Sequence, residues 1–146
     1  MRRRALLILA TMVLGVLVAS GVALAKTVTG TDQADDLVGT EKDDTIYAKA
    51  GNDYVFGEQA ADVLRGGLGD DLVFGREGND QIYGDAGSDR LFGDMGLDTM
   101  NAGDGEKDIV NCGTEVDNAY VDKIDIVNKN CENVFERVSG GQTPSA

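Results

Sequence analysis

A nine-residue period constrains this chain more than any other feature of its sequence. From Gly30 to Asn101 the sequence divides, without a gap, into eight units of nine residues. The sixth position is aspartate and the eighth is apolar in all eight units, and the first is glycine in seven. A fixed short period is the signature of a solenoid, whose units pack only against their neighbours. The sequence therefore predicts a solenoid rather than a conventional globular domain.

Each unit divides into a six-residue turn and a three-residue strand. Because side chains alternate along a strand, the eighth residue should point into the core and the seventh and ninth outward. Glycine at the first and fourth positions should let the turn reach positive φ at little cost and let carbonyls approach a cation. The fourth position is glycine in five units, and Gln33, Lys42 and Ala60 replace it in the others.

These units resemble the nonapeptide repeat G-G-x-G-x-D-x-U-x of the RTX (hemolysin-type) calcium-binding proteins. The resemblance implies an all-β fold, a parallel β-roll in which two units form one coil. Eight units would then give about four coils, closed by a degenerate C-terminal cap. It also implies that several Ca²⁺ ions lie between the turns of units n and n+2, held by turn carbonyls and by the sixth-position aspartates. Those aspartates are Asp35, Asp44, Asp53, Asp62, Asp71, Asp80, Asp89 and Asp98.

The intact glycines favour some of these sites over others. The best pairs should be Asp53 with Asp71, Asp71 with Asp89, and Asp80 with Asp98. The pairs Asp35/Asp53, Asp44/Asp62 and Asp62/Asp80 each involve a turn without the fourth glycine, so we expect weaker sites there. The alternative is a merely solvated acidic surface, which strict spacing opposite an apolar column disfavours. That solvated role is the one expected for Asp36, Asp85 and Asp94.

Stacked carboxylates oppose folding unless a cation lies between them. Two unit charges about 5 Å apart repel by roughly 0.8 kcal/mol even in bulk water. Ca²⁺ suits such a site because it takes six to eight oxygen ligands in irregular geometry. Only 26 of the 121 residues from Lys26 onward are Leu, Ile, Val or Phe, which is close to the composition of disordered chains. We therefore expect folding to depend on calcium.

The charge balance narrows the classes of function. The 146 residues carry a formal net charge of −13, which argues against nucleic acid and anionic membranes as partners. The chain has no histidine, which excludes Ser-His and Cys-His nucleophile systems and His-ligated zinc. No constellation outside the repeat suggests catalysis, so we expect a binding protein rather than an enzyme.

The N-terminal segment has the layout of a secretory signal peptide. Arg2 to Arg4 precede an apolar run, and Ala23-Leu24-Ala25 forms an A-x-A cleavage site. We expect cleavage after Ala25, a secreted protein and no membrane attachment afterwards; the alternative is an uncleaved anchor. The expected organisation is a signal peptide (1–25), a lead-in (26–29), the repeats (30–101), degenerate repeats with a disulfide cap (102–138) and a disordered tail (139–146).

The C-terminal region keeps fragments of the repeat. Cys112 and Cys131 are 19 residues apart, about one coil, so the two Cα atoms should lie within disulfide range. A secreted chain with two cysteines is expected to pair them. Free thiols or an intermolecular bridge remain alternatives. The weak candidates for further metal ligands are Asp108, Asp117 and Asp125.

The ninth positions on one predicted sheet form an outward apolar ladder, Val38, Phe56, Phe74 and Phe92. Packing between neighbouring strands explains such a ladder. The alternative is a surface through which Phe56, Phe74 and Phe92 bind a protein or a surface partner. In that case the chain would be an extracellular adhesive or matrix scaffold that uses its β-roll as a binding surface.

Overall fold

The computed structural model describes residues 24–137. The predicted signal peptide lies outside this range except for its last two residues, and the predicted tail 139–146 lies wholly outside it. Every regular element in residues 24–137 is a β-strand. That range contains no helix long and apolar enough to cross a membrane.

Residues 24–137 contain thirteen strands, which form two parallel sheets. The seven-stranded sheet A contains, in spatial order, β1 (Thr27–Thr29), β3 (Thr45–Ala50), β5 (Val63–Leu68), β7 (Gln81–Ala86), β9 (Thr99–Asn101), β11 (Asn118–Asp122) and β13 (Asn133–Arg137). The six-stranded sheet B contains β2 (Asp36–Val38), β4 (Tyr54–Gln59), β6 (Leu72–Glu77), β8 (Arg90–Met95), β10 (Ile109–Thr114) and β12 (Ile126–Val127). Consecutive strands alternate between the sheets, so the chain winds as a solenoid.

The strand register confirms the predicted parallel β-roll with two units in each coil. Val55 pairs with Val73 and Leu64 with Ile82, so residues 18 apart stack on each other. The roll has about six turns rather than the expected four. The lead-in supplies β1, and the degenerate region after residue 101 supplies β10 to β13, so both continue the coil.

The core lies between the two sheets, and each sheet contributes one column of inward side chains. The eighth-position residues are buried as predicted: Leu37, Ile46, Val55, Leu64, Val73, Ile82, Leu91 and Met100. Val110 continues the column of sheet B into the degenerate region, and Ala119 continues that of sheet A. One inward residue per strand triplet makes a thin core, so burial alone contributes modestly to stability.

The predicted disulfide joins Cys112 to Cys131, with a Cα–Cα distance of 5.1 Å. Cys112 is fully buried within β10, while Cys131 precedes the last strand, β13. A closed loop of this size stabilises a fold by about 3 kcal/mol in the chain-entropy account. The disulfide thus ties down the end of the roll, where the repeat pattern is weakest.

The turns use left-handed backbone at the second and fourth positions. Gly69, Gly78 and Gly87 occupy the fourth position at positive φ, as predicted. The expectation that first-position glycines also need positive φ is wrong, because Gly57 and its equivalents lie outside that region. A Cβ on Gly57 would lie 2.5 Å from Asp62 Oδ2 and 2.7 Å from the carbonyl oxygen of Gly75. Close approach of oxygens, and not backbone conformation, requires glycine there.

Several turn residues other than glycine are also left-handed. At the second position these are Lys49, Glu58, Arg76, Asp85 and Asp94. Such a conformation costs an L-residue about 1–2 kcal/mol. This strained conformation recurs at the second position of successive turns. Strained backbone of this kind is commonly found at functional sites.

The aromatic ladder packs within sheet B. The rings of Phe56 and Phe74 stack with centroids 5.2 Å apart, and those of Phe74 and Phe92 with centroids 4.7 Å apart. The Arg76 guanidinium lies 5.4 Å from the Phe56 ring centroid. The ring faces therefore contact one another and Arg76. A role for the ladder as a partner surface remains a prediction.

Replacing Phe74 tests the role of the ladder. We expect Phe74→Ser to lower the free energy of unfolding by about 2 kcal/mol, because two stacked pairs and half-buried apolar area are lost. Denaturant unfolding and light scattering would measure stability and mass. Val38→Ser, at the exposed end of the ladder, is the matched control and should have a small effect. A change in oligomer mass on Phe74→Ser would instead favour the partner surface.

Candidate metal centre

The predicted site aspartates form two buried columns along the roll. Within each column, the backbone N–H of one aspartate donates to Oδ1 of the aspartate 18 residues later, at 2.6–2.9 Å. One column contains Asp35, Asp53, Asp71 and Asp89, and the other contains Asp44, Asp62, Asp80 and Asp98. All except Asp35 have at most 2% of their surface exposed. The structure therefore brings these residues together as the repeat spacing predicts.

The second carboxylate oxygen of most of these residues has no partner. Seven buried Oδ2 atoms accept no hydrogen bond from any group in residues 24–137, and these seven are the lone Oδ2 atoms. They belong to Asp53, Asp62, Asp71, Asp80, Asp89, Asp98 and Asp117. A buried carboxylate oxygen without a partner is costly, and the cost is removed by a proton or a cation.

Backbone carbonyls lie close to the lone Oδ2 atoms. Asp62 Oδ2 and the carbonyl oxygen of Gly75, which lies one coil further along, both border the space beside Gly57 that a Cβ would occupy. Gly75 stands in the same way between Asp80 Oδ2 and the Gly93 carbonyl. Six of the seven first-position glycines, all except Gly84, thus lie between a carboxylate oxygen of their own turn and a carbonyl oxygen of the next coil. Such an all-oxygen donor set fits Ca²⁺, and it fits Mg²⁺ less well because Mg²⁺ prefers a tight octahedron and keeps its waters.

Each candidate site draws its carboxylates from two stacked turns. In the part of the chain that the structure describes, no three side chains among aspartate, glutamate, histidine and cysteine form a group that could hold a metal ion. The remaining ligands must therefore be backbone carbonyls and waters, which are ordinary ligands of Ca²⁺.

Burial raises the pKa values of the column carboxyls. The pKa is about 7 for Asp62, Asp71 and Asp98 and about 6 for Asp80 and Asp89. Desolvation is the largest cause, the bond from the stacked backbone N–H acts in the opposite direction, and neighbouring carboxylates raise the values further. In the folded chain these carboxyls therefore keep a proton to higher pH than a solvated aspartate does, and a bound cation would favour their ionised form.

The first two turns satisfy their carboxylates internally. The N–H of Thr31 donates to Asp35 Oδ2 at 2.6 Å, and the N–H of Thr40 donates to Asp44 Oδ2. Neither turn contains a residue at positive φ. From Lys49 onward the second-position residue is left-handed, and the corresponding Oδ2 atom is lone. Asp35 and Asp44 therefore lie in the columns, but their Oδ2 atoms already accept a hydrogen bond, unlike those of the later turns.

The turn that contains Ala60 resembles its glycine-containing neighbours. Ala60 takes a φ of 73°, and Oδ2 of Asp62 is a lone atom like those of the other turns. The missing glycine therefore adds backbone strain there without changing the arrangement of the site.

Both columns continue beyond the repeats. Asp108 accepts the N–H of Asp89 at 2.7 Å, and Asp117 accepts that of Asp98 at 2.8 Å. The N–H of Asp108 in turn donates to Asp125 Oδ1 at 3.0 Å, and the N–H of Asp117 donates to Glu132 Oε2 at 3.2 Å. The sequence indicated the three aspartates only weakly. Glu132 was not predicted, because it stands only 15 residues after Asp117 and so falls outside the repeat spacing. The one sequence signal that could have pointed to it is its position directly after Cys131.

The three acids assigned to solvent differ from one another. Asp36 is exposed, as expected. Asp85 and Asp94 are partly exposed at the left-handed second position of their turns. The Arg65 guanidinium lies 3.2 Å from Asp85, so Asp85 has a positively charged neighbour on the surface of sheet A.

Comparison with protein-family models identifies the repeat. The model of the RTX calcium-binding nonapeptide repeat (4 copies) matches residues 29–64, 56–91 and 74–106, which together cover more than half of the 146 residues. The chain belongs to this family. No curated protein and no solved structure matches it. The stacked aspartates of this RTX chain fit the calcium-binding role of the repeat, and the resemblance stated from the sequence is confirmed.

Proposed function

We propose that this RTX chain is a secreted calcium-binding protein whose β-roll holds several Ca²⁺ ions between stacked aspartates and folds only when they are bound. The lone Oδ2 atoms carry the proposal. They recur along two columns, they are buried, and backbone carbonyls face them. A repeated, oxygen-only arrangement of this kind supports hard-cation binding rather than a single catalytic centre.

The turn chemistry ranks the sites. The pairs Asp53/Asp71, Asp71/Asp89, Asp62/Asp80 and Asp80/Asp98 each join two lone Oδ2 atoms, so we assign the strongest binding to them. Asp35 and Asp44 already receive a threonine N–H, so an ion at either must compete with that bond. We therefore expect the first two turns to contribute weak sites.

Two observations support secretion. The sequence from Arg2 to Ala25 has the order of a cleavable signal peptide. The Cys112–Cys131 disulfide is the kind of bond that persists in oxidising compartments. Sequencing the N-terminus of protein recovered from culture medium tests this, and we expect it to begin at Lys26. Recovery of the chain only in the membrane fraction would favour the uncleaved anchor.

The proposed role is binding rather than catalysis. RTX β-rolls are typically structural or binding elements. The carboxylates that would serve as acids and bases lie in repeated equivalent sites, which a single active site does not require.

Neutralising Asp71 tests the proposed calcium sites, because Asp71 belongs to the two pairs Asp53/Asp71 and Asp71/Asp89. We expect Asp71→Asn to lower the calorimetric calcium count by up to two ions, since the amide keeps the Oδ1 acceptor for Asp53 N–H but lacks the charge. Asp36→Asn is the control, because Asp36 is exposed and outside the columns. An unchanged count and affinity in Asp71→Asn would contradict the assignment. Absence of calcium uptake by the unmodified chain would contradict the proposed function itself.

A further inference from the structure

The turn from Cys112 to Asp117 lies beyond the matched repeats and has the geometry of a repeat turn. The family match ends at residue 106, and the segment lacks the glycine pattern, since Cys112 occupies the first position and Glu115 the fourth. Gly113 and Glu115 nevertheless take φ values of 108° and 73°, which reproduce the left-handed second and fourth positions. The segment thus departs from the repeat in sequence but keeps the backbone conformation of a repeat turn.

The oxygens of this turn are arranged as they are between repeats. Asp98 N–H donates to Asp117 Oδ1 at 2.8 Å, and both aspartates are fully buried. Oδ2 of each is lone among the described residues. A Cβ on Gly93 would collide with both Asp98 Oδ2 and the Cys112 carbonyl. The Cys112 carbonyl therefore takes the place that a glycine carbonyl has in the preceding coils.

The disulfide fixes the residue that supplies this carbonyl. Cys112 is fully buried and is held 5.1 Å, Cα to Cα, from Cys131. Glu132, which directly follows Cys131, accepts the N–H of Asp117 at 3.2 Å. All five residues of β13 are exposed, so this last strand buries little that would hold it in place. The cross-link thus positions both neighbours of Asp117, the Cys112 carbonyl and the Glu132 carboxylate.

We propose that Asp98, Asp117 and the Cys112 carbonyl form a further calcium site outside the repeats, and that the Cys112–Cys131 disulfide maintains it. This inference rests on the proposed calcium binding of the repeats. It adds a site that depends on a covalent cross-link, whereas the repeat sites depend only on stacked turns. The roll is then closed by an ion and a disulfide acting on the same turn.

Native mass spectrometry of the full chain in calcium chloride counts the ions directly. We expect Asp117→Asn to bind one ion fewer than the unmodified chain and Asp36→Asn to bind the same number. The Cys112→Ala/Cys131→Ala variant removes the cross-link but keeps the carbonyl, and Ala48 shows that the first position accepts alanine. In calcium titrations we expect this variant to bind one ion at least tenfold more weakly. Adding Asp117→Asn to it should abolish that weakened binding.

The outcomes separate this inference from the proposed function. An unmodified chain that binds no calcium contradicts the proposed function. An unmodified chain that binds calcium, with an unchanged ion count in Asp117→Asn or unchanged affinities in the double-alanine variant, overturns only the additional site. Circular dichroism in calcium checks that each variant folds. The double-alanine variant alters no ligand, so it tests the same ion if Asp117→Asn does not fold.

Discussion

Removing calcium with EDTA is expected to unfold the β-roll. The core receives only one side chain from each strand triplet, and the stacked carboxylates within each buried column repel one another. An ion present at one hundred times its Kd stabilises the folded state by about 2.7 kcal/mol for each site. Four such sites contribute about 11 kcal/mol, which is comparable to the whole free energy of unfolding of a typical domain. We therefore expect the ions to decide whether the chain folds.

Far-UV circular dichroism of the full chain, with calcium and then with excess EDTA, measures this effect. We expect a β-sheet spectrum in calcium and a largely disordered one in EDTA, with recovery when calcium is restored. Magnesium at the same concentration is the control and should restore little, because it prefers a tight octahedron and keeps its waters. An unchanged, fully folded spectrum in EDTA would show that the thin core suffices, and calcium-dependent folding would be abandoned.

The invariant positions of the repeat predicted the core and the columns because each has one physical role. An aspartate at every sixth position and an apolar residue at every eighth stack once the coil length is known, so Asp71 and Val73 could be placed from sequence alone. Glycine was less informative, because it is required both by positive φ and by close approach of oxygens. Gly57 shows the close approach alone, whereas Gly69 combines it with positive φ, and the sequence does not distinguish the two cases.

The ends of the roll were harder to predict because they satisfy the same geometry with different residues. At the start, the N–H groups of Thr31 and Thr40 bond to the carboxylates, which the missing fourth glycine alone does not reveal. At the end, the coil tolerates an extra residue between Asp98 and Asp117, so the period is broken while the stacking continues. Counting in nines therefore underestimated the coils and undervalued Asp117.

Acidification is expected to release calcium and, in the ion-free chain, to favour folding. In the folded chain the pKa of Asp71 is about 7 and that of Asp80 about 6, against about 3.9 for an unfolded aspartate. Because the folded-state values are raised, the folded chain binds these protons more tightly than the unfolded chain. Ionisation therefore opposes folding at pH 8 without calcium, and that penalty disappears as the pH falls through 7 toward 4.

We expect calcium to compete with those same protons. Each site between two column aspartates requires two ionised carboxylates, so below both pKa values affinity falls by up to about 100-fold for each pH unit. Calorimetric titrations at pH 8 and pH 5, at constant ionic strength, should therefore show binding that is strong at pH 8 and nearly lost at pH 5. Circular dichroism of the EDTA-treated chain should change in the opposite direction and gain β-sheet signal at pH 5. Equal calcium affinity at both pH values would mean that the column carboxylates are not the ligands, because solvated aspartates are already ionised at pH 5.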